Sequence, residues 1–186
     1  MGLTDLNVRA WLARALVAWG ALSLLSVIAF AGYLAYHYSR GHHVEIDTAT
    51  TKDVRFVLNW CGLGEDRIEK VVHSYVTSRN VTGDHVDAYA IKISNVELKE
   101  LTAREDDFGE GWHRADTVPP VLNDAIAFMG TWLHQVSWFP SEAELRTSDY
   151  YVYPWSIYTQ GVRPTATELI FVRPRDNMVF YFSGKT

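Results

Sequence analysis

Twenty-two residues without a charge, 15–36 (Ala15 to Tyr36, between Arg14 and His37), constrain this chain more than any other feature. At 1.5 Å per residue they form a helix of roughly 33 Å, enough for a hydrocarbon core of about 30 Å. A helix can cross because it satisfies its own backbone hydrogen bonds. Trp11 and Trp19 lie toward one end and Tyr33, Tyr36 and Tyr38 toward the other, the depths that amphipathic rings favour. A core helix of this length would carry a polar face, whereas this one offers only Ser23, Ser26 and scattered glycines.

A cleavable signal peptide competes with the anchor. Ala29-Phe30-Ala31 before Gly32 fits the small-residue cleavage pattern, but the apolar run continues to Tyr36, past the usual 7–15 residues of such a segment. The expectation is an uncleaved signal-anchor over 15–37, after a tail over 1–14 and before a polar connector over 38–49. Arg9 and Arg14 precede it, against Arg40, Lys52 and Arg55 after it. That small bias points the N-terminus inward and the domain outward. In a bacterium this predicts an inner-membrane protein with its C-terminal domain in the periplasm, and the bilayer as its first partner.

The remainder, 50–186, suits one soluble domain with a real core. Residues 46–186 hold 14 of the 17 Lys and Arg and 20 of the 22 Asp and Glu, a net charge of −6. No basic stripe marks it for nucleic acid. Cys61 is the sole cysteine, so an internal disulfide is impossible, and its apolar setting reads as a buried thiol. Asn80-Val81-Thr82 matches the glycosylation tripeptide, which matters only in a eukaryotic secretory pathway.

Along the domain, Val54, Val57, Leu58 and Cys61 share one helical face, with Thr50 and Asp53 as a cap and Gly62 and Gly64 as the stop. Strands follow over 71–78 and 85–93, joined by a turn at Gly83. Ser94 and Glu97 suggest a capped short helix to about Thr102, and 104–116 reads as an exposed loop. A helix over 117–134 has a wide apolar stripe, and Ser141 with Glu144 caps another over 141–146. Strands over 150–158, 168–172 and 178–182 close the chain. The expected class is α+β: an antiparallel sheet of about five strands, helices on one face and water on the other.

No metal, nucleotide or nucleophile motif occurs, and no cofactor is expected. His37, His42 and His43 read as a hydrated juxtamembrane segment. Glu105, Asp106, Asp107 and Glu110 lack the calcium-loop alternation, and Asp107-Phe108-Gly109 lacks every other kinase element. His73 and His85, in the two arms of the first hairpin, could meet near Asp84 and Asp87; Ser74 with His73 and Asp87 is the one nominable triad. The aromatic surplus stands out: Tyr150, Tyr151, Tyr153, Trp155 and Tyr158 fall within nine residues. On a regular strand Tyr151, Tyr153 and Trp155 share one face, and Tyr150, Val152, Ser156 and Tyr158 the other. Trp112 and His113 could extend that surface.

The expected function is a membrane-tethered, non-enzymatic interaction domain on the extracytoplasmic side. It would bind another envelope protein through Tyr151, Tyr153, Trp155, Trp112 and His113, as an adaptor, an immunity-type protein or an accessory subunit of a membrane complex. An envelope hydrolase or metal-assisted enzyme using His73, His85 and Asp87 is the alternative. A glycan-binding module on Tyr151, Tyr153 and Trp155 is the third.

Overall fold

A computed structural model describes residues 3–40, 43–80, 82–102 and 111–186. His42, Val81 of the tripeptide, and the acidic stretch with Asp107-Phe108-Gly109 lie outside the described residues. So does most of the expected loop.

Helix α1 runs Leu3–Arg40, and within it Ala10–Tyr38 is long and apolar enough to cross a membrane. Leu16, Leu22, Leu25, Ile28 and Phe30 are all exposed on it. An all-round apolar helix with no protein cover matches a bilayer environment. A signal sequence near the N-terminus has the same features.

Strand β1, Val44–Ile46, lies inside the stretch expected as connector. It pairs with β2, Ile68–Thr77, from Val44↔Thr77 to Ile46↔Tyr75. Between them α2, Arg55–Trp60, buries Val54, Val57, Leu58 and Cys61. The carboxylate of Asp53 accepts from both the amide and the hydroxyl of Thr50 at 2.7 Å, fixing the turn that precedes it. Gly62 and Gly64, at φ +75° and +87°, reverse the chain afterwards, a backbone region that favours glycine.

Strand β3, His85–Ile93, completes the first hairpin. Helix α3, Leu98–Thr102, starts later than expected. Glu100, not the Ser94–Glu97 pair, accepts from the Glu97 amide and also holds Arg67 in a two-pronged ion pair. After β4, His113–Arg114, helix α4 (Pro120–Gly130) seats Leu122, Ala125, Ile126 and Met129, while Val121 stays exposed. Helix α5, Glu142–Leu145, carries the capping box of Ser141 and Glu144. Strands β5 (Tyr151–Gln160), β6 (Arg163–Arg173) and β7 (Met178–Lys185) finish the domain.

The sheet is antiparallel, in the order β1-β2-β3-β7-β6-β5-β4, so it has seven strands rather than five. The class is α+β. The expectation of one wet face is corrected, because two hydrophobic clusters flank the sheet. Ala88, Ala90, Leu169, Phe171, Phe180 and Phe182 pack under α4 and α5. Tyr89, Ile91, Ile93, Ile170, Val172 and Tyr181 pack under α2 and α3. Central strands β3, β6 and β7 are apolar at both parities, as strands buried on both faces must be.

Candidate functional site

The face under α2 changes character row by row, because side chains of paired residues stand side by side. One row is Tyr89–Tyr181–Ile170–Tyr153. Phe56 meets the Tyr181 ring edge-on at 5.4 Å, and Trp60 also reaches that ring. Burial pushes the Tyr89 phenol up to about 12 and raises that of Tyr181 as well. The next row is Asp87–Ser183–Glu168–Ser156, and beyond it lies His85–Lys185–Ala166–Tyr158. Above these polar rows a cleft of about 490 Å³ opens, lined among others by His85, Ser156, Tyr158, Glu168, Ser183 and Lys185.

Hydrogen bonds tie the polar row together. His85 Nδ1 stands 2.8 Å from the Gly83 carbonyl, which can only accept, so Nδ1 carries a proton. In the neutral ring Nε2 therefore accepts from the Ser183 hydroxyl at 3.0 Å. The Ser183 hydroxyl oxygen also lies 3.4 Å from Glu168 Oε1. Glu168 also accepts from Ser156 at 2.8 Å and from Tyr181 at 3.4 Å. Among the described residues no cation lies within ion-pair distance of Glu168. Asp87, by contrast, is held by Arg79 at 3.1 Å. Burial raises the Asp87 carboxyl above the usual carboxylate range, with the Arg79 guanidinium opposing, and its Oδ1 has no hydrogen-bond partner.

Compared with protein-family models, with curated proteins and with solved structures, the chain matches none. The residues of the cleft must therefore carry the functional reading themselves.

His73 does not join His85 and Asp87. It stacks on Trp138 at 5.3 Å and contacts Asp47 at 3.4 Å, on the α4 face, while His85 stands on the α2 face. A β-bulge between Val71 and His73 shifts the register. Ser74 is buried and accepts from the Ala49 amide, so the His73–Ser74–Asp87 triad does not form either. Among the described residues no three of His, Cys, Asp and Glu are grouped to hold a metal ion.

The aromatic residues divide. Trp112 is buried against Tyr153, at 5.4 Å between ring centroids, and Tyr151 and Tyr153 are half-buried in the α2-side cluster. Trp112, His113 and Tyr151 line a separate groove of about 340 Å³. Trp155 is 41 % exposed, with one ring face stacked on Trp60. A row of three open rings for sugar stacking is not formed. A bulge between Pro154 and Ser156 corrects the expected alternation. It brings Ser156 and Tyr158 onto the face shared by Tyr151 and Tyr153. Sequence reasoning misses Ser183 and Glu168 as site residues; each lies within a strand, next to the apolar run (169–172 or 179–182) by which that strand is read.

Proposed function

We propose that the protein is a membrane-tethered, non-enzymatic binding domain, and that its cleft on the α2 face receives an envelope protein on the extracytoplasmic side. The supporting observation is that Ser156, Glu168 and Ser183 of the polar row line a cleft on a face whose neighbouring row is a buried aromatic cluster. Burying polar groups is costly unless they are hydrogen-bonded, so a maintained polar cleft signals use. The apolar helix α1 and the small Arg9 and Arg14 bias support the tether and its direction. In a bacterium the domain faces the periplasm and serves as an adaptor, an immunity-type protein or an accessory subunit of a membrane complex.

A benzophenone side chain placed at Tyr158, in the full chain in its own membranes, tests this. The same group at the exposed Val121 on α4 is the control. A discrete adduct from position 158 alone is expected; none, or equal adducts from both, overturns the proposal.

The contact between Ser183 and His85 favours a second reading, an envelope hydrolase with Ser183 as nucleophile. Against it, Ser183 is only 3 % exposed and its neighbouring backbone amides lie in paired strands, which leaves no evident donor pair for an oxyanion. Labelling of Ser183 by a fluorophosphonate, lost in Ser183→Ala, would replace the binding reading with this one.

A further inference from the structure

We propose that the tip of the β5–β6 hairpin, with Val162 at its apex and Arg163 beside it, rests in the headgroup layer of the bilayer that holds α1, as a second membrane contact of the domain. This inference rests on the tether reading and goes beyond it, because it sets which end of the sheet meets the lipid.

Connectivity comes first. The chain leaves α1 at Arg40 and begins β1 at Val44. The Ser78 amide donates to the His43 carbonyl at 2.9 Å, so the line of β1 continues back to His43. The peptide steps from Arg40 to His43 span at most about 11 Å. The end of the sheet at which β1 starts is therefore held near the membrane. Antiparallel pairing fixes what else lies at that end. Val44 pairs with Thr77, the last residue of β2; His85, the first of β3, pairs with Lys185, the last of β7; and Lys185 pairs with Ala166 near the start of β6. The turn between β5 and β6 stands at this same end.

The hairpin also projects. The β6–β7 ladder stops at Ala166↔Lys185, whereas β5 and β6 go on pairing to Gln160↔Arg163. At about 3.3 Å per residue, Val162 lies roughly 13 Å beyond Ala166. That projection is of the same size as the reach from His43 to Arg40. Between β1 and β6 the twist accumulates to roughly 80–100°, shared about the middle strands, so both strand ends keep a component toward the bilayer.

The side chains suit that place. Val162 is 88 % exposed, more than Val17 at 73 % on α1, and it is the most exposed large apolar residue among those described. One exposed apolar side chain is ordinary on a protein surface. This one stands at the apex of a tight reversal, where Gly161 takes φ +65° between the paired Gln160 and Arg163. Residues 159–165 hold no carboxylate and a single charge, the exposed Arg163, although the domain as a whole is acidic. An apolar apex beside a cation is what an anionic headgroup layer accepts. Residues 103–110 cannot cover the tip. They are anchored beside Tyr151, at the other end of β5, where Thr102 and Trp112 line one groove. From there to Gln160 and back is roughly 60 Å, against a contour of about 32 Å between Thr102 and Gly111.

The test places the full chain in vesicles of phosphatidylethanolamine and phosphatidylglycerol, with an environment-sensitive fluorophore on one introduced cysteine at a time. Cys61 is buried and stays unlabelled in the folded chain. The positions are Ile28→Cys on α1, Gln160→Cys beside the tip, and Lys70→Cys, exposed at the other end of the sheet. Spin-labelled phosphatidylcholine in the vesicles should quench the probes at 28 and 160 and spare the one at 70. Adding Val162→Asp and Arg163→Glu should abolish quenching at 160 and leave it intact at 28; both residues are exposed, so the fold is not at stake. Quenching at 28 with none at 160 overturns this inference and leaves the tether standing. No quenching at 28 overturns the tether and this inference with it. A benzophenone at 162 that captures a protein in native membranes, while the probe at 160 stays unquenched in vesicles, assigns the tip to a protein and overturns the lipid contact. An adduct at position 158 with no quenching at 160 overturns only the lipid contact and leaves the binding domain standing.

Discussion

The indole of Trp155 lies flat on that of Trp60, with 4.6 Å between ring centroids and 4° between planes. This stack joins the end of α2 to the bulge of β5. Trp155→Ala should cost about 1 kcal/mol from the ring pair, with a further contribution from lost burial. Urea unfolding with a changed near-UV circular dichroism spectrum would register it. An unchanged midpoint would show that the stack contributes nothing.

Glu100 is the clearest source of acid sensitivity. The two-pronged contact from Arg67 and the Glu97 amide hold its carboxyl down at about 2, from an ordinary 4.5. A depressed carboxyl contributes stability that is present above its unfolded value and is lost as pH falls through its folded value. The melting-temperature gap between wild type and Glu100→Gln should therefore be full at pH 6 and close between about pH 4.5 and 2. A gap that stays constant across that range would contradict this assignment.

Asp87 carries the opposite sign. Its side chain is 9 % exposed and its carboxyl is raised by burial, so ionisation in the fold is tolerated chiefly through Arg79. Arg79→Ala strands a buried anion, whereas Asp87→Asn removes it. At pH 7 the first should destabilise more than the second. That difference should shrink on acidification, as the stranded carboxyl takes up a proton. Paired thermal melts at pH 7 and pH 4 would check both parts.

Cys61 is buried behind Leu58, and burial pushes its thiol up to about 12. At pH 8 a thiol reagent should leave the folded chain unmodified and label it fully in denaturant. Rapid labelling without denaturant would mean that α2 opens readily from the sheet.

The anchor can be tested apart from the domain. Replacing Leu22 and Leu25 with Arg should impose about 3 kcal/mol each at mid-bilayer. The chain should then leave the membrane pellet during carbonate extraction. A wild-type product shortened by the residues up to Ala31 would instead identify α1 as a cleaved signal.

Much of this architecture was legible in the sequence. The spacing of Val54, Val57, Leu58 and Cys61, the Ser141–Glu144 cap and the turn at Gly83 each fall where local rules place them. The covered second face was legible too, though alternation was the wrong guide. Val86, Ala88 and Ala90 share a strand with Tyr89, Ile91 and Ile93, so both parities are apolar and both faces need cover. The cleft was not legible. His85 and Ser183 are 98 positions apart and meet only through strand order, and the bulge at Trp155 reverses the side to which Ser156 and Tyr158 point. A slip of one residue in a strand moves every later side chain to the other face.

Helix α1 leads into the sheet at β1, on the margin opposite β5. Only residues 41–43 separate Arg40 from Val44, a reach of about 14 Å. Strand β5 lies five strand spacings away, roughly 24 Å. If α1 is held in a bilayer and a partner pulls at β5, the load runs in series through the ladders β5–β6, β6–β7, β7–β3, β3–β2 and β2–β1. The weakest member is β1, gripped over three residue pairs, where the neighbouring ladder of β2 and β3 holds seven. Under load β1 would peel first and lengthen the tether while the cleft stays assembled. A force ramp would record that as a short early extension, well before the domain gives way.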